Sequence, residues 1–157
     1  MIRFDADLKV QEAQPYEDGQ RIEGLAVHGD ILILLIVPNH QSERPALQLL
    51  DITQFPLNVP QKHRLVELPE CTNPSAVAAA CGNAYVFDEF KDGDKEHACL
   101  HVIDLESGMP LQQIRWHSAW ALSRLGTVTA MLVDGNEIYL ADHAGSSVLG
   151  LAGSGPA

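Results

Sequence analysis

The side chains of this 157-residue chain that could hold a cation or move a proton gather in a few polar stretches. His40 and Glu43 lie in the first, and Asp88, Glu89, Asp92, Asp94, Glu96 and His97 fill the second. His117 stands apart, and Asp142 and His143 form the last. Carboxylates suit hard divalent cations and imidazoles suit zinc or copper, so the chemistry such a set supports is binding of a divalent cation or a polar ligand. Solvated surface loops have the same composition, and that plainer reading is preferred for each stretch. Asp92-Gly93-Asp94 has the spacing of the first ligands of a calcium loop. Counted from Asp88, however, the twelfth position, where a bidentate Glu belongs, is Cys99. No catalytic group, resident metal or cofactor is identified from these residues.

Sulfur and aromatic chemistry is similarly sparse. His97, Cys99 and His101 alternate and would share one face of a strand, but no Cys-x-x-Cys accompanies them. Cys81 and Cys99 therefore read as small buried hydrophobes. Trp116 and Trp120 flank His117; Trp116 ends a strand pattern and is expected to pack, while Trp120 is expected to be exposed as a recognition group. The loop-face candidates for binding are thus His40, Asp88, Glu89, His97, His117, Trp120, Asp142 and His143.

These groups need elements to position them, and the elements repeat. Gly29-Asp30, Gly82-Asn83 and Gly135-Asn136 recur at a constant spacing of 53 (82 − 29 and 135 − 82), each heading an apolar run. Fixed-period self-similarity marks a repeat architecture in which each copy is one supersecondary unit. The first copy reads as strands at 22–28, 31–37, 46–52 and 63–68. The second reads as 76–81, 84–87, 99–104 and 111–116, with a charged loop over 88–97. The third has 128–133, 137–142 and 147–152 but no fourth strand. Asp51 and Asp104 end the third strand of their units, and recurrence at that place argues for a turn-forming role.

Units of four antiparallel strands describe propeller blades. The run 77–88 followed by Leu100-His101-Val102-Ile103-Asp104 resembles the LVIVD-repeat family of β-propellers, fairly matched by 25–30 with 47–52 and partly by the third unit, where Val148-Leu149-Gly150-Leu151 lacks the closing Asp. The resemblance spans about 22–152 and implies blades, with no catalytic residue attached. The expected fold is therefore all-β: a single repeat domain over 1–157, with blades at about 22–68, 76–116 and 128–152. Three blades are too few for a ring, since propellers use about 4 to 8. A half-propeller or a six-bladed ring follows, either by two-fold self-association or by joining the remaining blades of a longer propeller. The extra strand at 8–12 would complete the third blade and hide a sheet edge.

Composition narrows the functional classes. A net charge of −11 disfavours nucleic acid and anionic membrane surfaces. The longest apolar run, 31–37, is far below the roughly 20 residues of a membrane-spanning helix. The 46% apolar content argues for a folded chain, and the acidic surface for a soluble one. A start lacking signal-peptide character and an odd number of cysteines lead to an expected cytoplasmic location. The function expected is a scaffold that binds a ligand or a protein partner through loops at a channel mouth. The alternative is a metal-dependent propeller hydrolase or lactonase-like enzyme, in which a divalent cation activates water.

Overall fold

The computed structural model describes residues 2–4, 10–13, 20–40, 43–53, 64–92, 95–116, 128–142 and 147–152, and all of its secondary structure is strand or turn. A short hairpin comes first, with β1 (Ile2–Phe4) paired to β2 (Val10–Ala13). The strand expected at 8–12 is thus observed over Val10–Ala13, and within this chain its described partner is β1. Three antiparallel meanders follow. The first is β3 (Gln20–His28), β4 (Ile31–Pro38), β5 (Ala46–Asp51) and β6 (Arg64–Glu67). The second is β7 (Pro74–Ala80), β8 (Asn83–Asp92), β9 (Lys95–Asp104) and β10 (Pro110–Trp116). The third holds three strands, β11 (Val128–Asp134), β12 (Glu137–Asp142) and β13 (Ser147–Ala152). Among the described residues these sheets do not close into a ring.

Strand alternation explains how the sheets stack. Ile33 and Leu35 of β4, Leu47 and Leu49 of β5 and Val66 of β6 point one way and meet Val77, Ala84, Val86 and Ile103 of the second sheet. The next residues along the second sheet point the other way: Ala76, Phe87 and Ala98 meet Val128 and Leu140 of the third. The middle sheet is buried on both faces, which suits the apolar run 84–87 of β8. The first strands lie nearest one another, with β7 against both β3 and β11. That crowding accounts for the small residues of β7 and for Gly24. A Cβ on Gly24 would stand 3.1 Å from Val77 Cγ1 and 3.3 Å from Val77 N.

The first hairpin of each meander turns through a left-handed glycine, Gly29, Gly82 or Gly135. In the second, the two turn residues are Cys81 and Gly82, one place earlier than the sequence pattern suggests, and both have positive φ. The first strand of every meander also carries a β-bulge at the same place. One extra residue sits between Ile22 and Gly24, between Pro74 and Ala76, and between Val128 and Ala130. Such bulges bend a strand and raise its twist, which lets three sheets approach along their first strands.

Two sequence expectations are corrected. The stretch 88–97, read as a charged loop, continues the β8–β9 ladder from Asp88 opposite Cys99 out to Asp92 opposite Lys95. Charge density signals solvent exposure but does not stop a ladder whose backbone groups pair. Cys81, read as buried, is exposed because it occupies the turn, where no neighbouring strand covers it. No described helix is long and apolar enough to cross a membrane.

Candidate functional site

Asp88 is the most thoroughly enclosed of the described sequence candidates, at 1% exposure. It lies on β8 opposite Pro74, where the β6–β7 connection enters the second sheet. Its Oδ1 accepts the backbone N–H groups of Asn73 at 2.6 Å and Thr72 at 3.0 Å, and Oδ2 receives Thr72 N–H at 3.1 Å. Cys71, whose N–H donates to the carbonyl of Leu68, closes the same turn, and Glu89 N–H donates back to the carbonyl of Asn73. The carboxylate therefore clasps the connection to the sheet. Backbone amides in such a clasp stabilise a buried negative charge.

His101 approaches Asp88 from β9. Register puts His101 opposite Val86 and Cys99 opposite Asp88, so His101 and Asp88 share the face turned toward the first sheet. The His101 Nε2 to Asp88 Oδ2 distance is 3.7 Å, and Nε2 is buried without a hydrogen-bond partner. Cys71 completes the group: its Sγ, an Asp88 oxygen and a His101 nitrogen all lie within 4.8 Å of one another, and all three residues are buried. Burial, followed by the negative charge of Asp88, pushes the Cys71 thiol far above the ordinary range. A thiol in that environment is a poor nucleophile, and with Cys71 8% exposed it offers a substrate little access. The combination of thiol, imidazole and carboxylate is instead a transition-metal donor set.

Among the described residues, the remaining sequence candidates do not converge with it. His40 is exposed in the bend after β4, and His97 is half-buried on β9. Glu89 accepts Val128 N–H at 3.3 Å, linking the second sheet to the first residue of the third. Asp142 ends β12 and is buried. His117, Trp120 and His143 lie outside the described residues, as do Gly93 and Asp94. Trp116 packs as expected, its ring centroid 6.2 Å from that of Phe87. Sequence reasoning missed Cys71, which sits in a turn, and treated His101 only as one of an alternating set. An imidazole on the core-facing side of an apolar strand was the signal that could have found it.

A second feature is open. A cleft of about 340 Å3 follows the bulges, lined by residues 22–25 of β3, Ala76 and Val77 of β7, and residues 129–131 of β11. It contains the single carboxylate of Glu23 and is otherwise apolar or neutral.

No protein-family model matches the chain, and no curated protein matches it. Among solved structures, the computationally designed Ika4 protein matches with a TM-score of 0.37 and 10% identity, covering 89% of this chain and 95% of that one.

Proposed function

We propose that the chain is a half-propeller binding scaffold that pairs with a second copy to form a six-bladed ring and presents its loops and first-strand cleft to a ligand or protein partner. The observation that carries this reading is the distribution of exposed apolar side chains. Ile22, Leu25 and Val27 of β3 and Leu65 of β6 lie on the outward face of the first sheet, with Leu25 at 66% and Val27 at 54% exposure. Leu132 on β11, at 61%, occupies the outward face of the third sheet, where Val148 of β13 is 71% exposed. The middle sheet, by contrast, covers both of its faces with neighbours.

Apolar end faces of this kind favour association. Placing the third sheet of one copy against the first sheet of another, twice, makes a closed two-fold assembly in which every sheet has two neighbours. In that ring β3, β7 and β11 line the axis, and the cleft at their bulges opens on it.

The experiment is the solution mass of the intact chain by size-exclusion chromatography with light scattering over a range of concentrations. The expected mass is twice 17.1 kDa, reverting to one chain in Leu132→Lys. A single-chain mass at every concentration overturns the proposal.

A further inference from the structure

Among the described residues, the imidazole nitrogen Nε2 of His101 is buried without a hydrogen-bond partner. A polar atom enclosed without a partner is costly, and native folds seldom leave one so. Asp88 Oδ2, at 3.7 Å, is too far for a hydrogen bond. That spacing has another meaning. Two ligands each about 2.1 Å from a tetrahedral ion stand about 3.4 Å apart, and a sulfur ligand at about 2.3 Å stands slightly farther from its neighbours. The 3.7 Å separation, and the limit of 4.8 Å over all three donor atoms, fit groups that share an ion better than groups that bond one another.

We infer that Cys71 Sγ, Asp88 Oδ2 and His101 Nε2 form a zinc site that fastens the β6–β7 connection to the second sheet. A thiolate and an imidazole select zinc over magnesium or calcium, and one carboxylate is compatible with a tetrahedral set. The outer support is already in place. Asn73 N–H bonds Asp88 at Oδ1 and Thr72 N–H is shared between the two oxygens, so the carboxylate is oriented while Oδ2 keeps a lone pair for the ion. Three protein ligands leave the fourth position to water. Thr72 and Asn73 are exposed, so the ion enters through the turn. On binding, the S–H bond of Cys71 breaks, a sulfur–zinc bond forms and one proton passes to solvent. The charge of the site also balances: the dication meets one thiolate and one carboxylate.

The test uses the full chain, reduced and stripped of metal, titrated with cobalt(II) as a spectroscopic substitute and then with zinc. The expected result is one cobalt per chain with a thiolate-to-metal charge-transfer band, displaced by zinc. Cys71→Ser and His101→Gln should abolish the band, while Cys81→Ser, which alters the exposed thiol, should retain it. Cobalt binding without a thiolate band, or a band that persists in Cys71→Ser, overturns the assignment. A readout on the unaltered chain covers the case in which the variants do not fold. Saturating zinc should slow alkylation of Cys71 by at least about tenfold, measured by peptide mass spectrometry, with Cys81 unaffected. An unchanged Cys71 rate counts against the site.

Discussion

Asp88 and Asp142 occupy the same place in two different sheets. Asp88 faces Pro74 and Asp142 faces Val128, each opposite the residue that precedes the first-strand bulge. Both are buried. In the first sheet the corresponding residue is Ile36, opposite Ile22. A carboxylate at this register position in two of the three sheets is an architectural device, and in the second sheet its partners are the backbone N–H groups of the entering connection. Removing the carboxylate while keeping the burial leaves those donors unsatisfied. Asp88→Ala should therefore lower unfolding stability by about 1–3 kcal/mol in urea titration, with Asp88→Asn losing less because an amide oxygen still accepts. Equal stability of Asp88→Ala and the parent chain would remove the clasp from the account.

The three thiols should differ sharply in reactivity. Cys81 is exposed in its turn, whereas Cys71 and Cys99 are buried and burial pushes both of their thiols up. A disulfide reagent added to the folded chain at neutral pH should modify one thiol rapidly, identified as Cys81, and the other two only on unfolding. Cys81 also has φ of 50°, a left-handed conformation that costs a residue with a Cβ about 1 kcal/mol. Asn tolerates that region, and Asn-Gly is the preferred pair for a two-residue hairpin turn. Cys81→Asn should raise the melting temperature by a few degrees, and a decrease would show that the thiol has a contact of its own.

Much of the architecture was legible because it rests on short-range signals. The glycine turns, the alternation within 64–68 and the double-sided burial of 31–37 each follow from a local pattern that the sheets then respect. The bulges were not legible, because Glu23, Ser75 and Thr129 are unremarkable residues and a one-residue insertion changes pairing without changing composition. The reach of the β8–β9 hairpin was hidden for a related reason. Asp88 to His97 has the charge density of a loop, but ladder hydrogen bonds belong to the backbone and tolerate charged side chains at a projecting end. The meeting of Cys71 with His101 was least accessible. It depends on how a turn folds back over a sheet, and 30 residues (101 − 71) separate the two in sequence.

Acid should weaken the fold through two repeated aspartates. Asp51 accepts from the Thr53 hydroxyl at 2.6 Å and from Thr53 N–H at 2.9 Å, and Asp104 accepts from the hydroxyl and N–H of Ser107, both at 2.6 Å. These bonds, the side-chain one foremost, hold each carboxyl below its ordinary range. Since the folded value lies below the unfolded one of about 3.9, the folded chain binds fewer protons between them, and stability rises with pH there. The contribution is complete above about pH 5 and disappears as pH falls through the folded value. Carbon-detected NMR titration should show the Asp104 carboxyl moving up toward the ordinary range in Ser107→Ala. An unmoved midpoint would mean that the hydroxyl has no part in the shift.

Gly82 and Gly108 separate backbone strain from packing. Their φ values are 78° and 74°, so alanine suffers a similar left-handed penalty of about 1 kcal/mol at either position. Their surroundings differ. A Cβ at Gly82 meets nothing within 4 Å, whereas one at Gly108 runs into the guanidinium of Arg64 and comes within 3.2 Å of Val66 Cγ2. That guanidinium extends from the last strand of the first sheet to donate to the carbonyls of Leu105 and Glu106 in the β9–β10 turn of the second. Gly108→Ala should therefore be the more destabilising change, and the excess over Gly82→Ala should largely vanish when both are made in an Arg64→Ala background, because the displaced bridge is already gone. The comparison requires four urea curves on chains of equal length. If the excess persists without Arg64, the contact with Val66 is responsible and the two sheets are held there by packing alone.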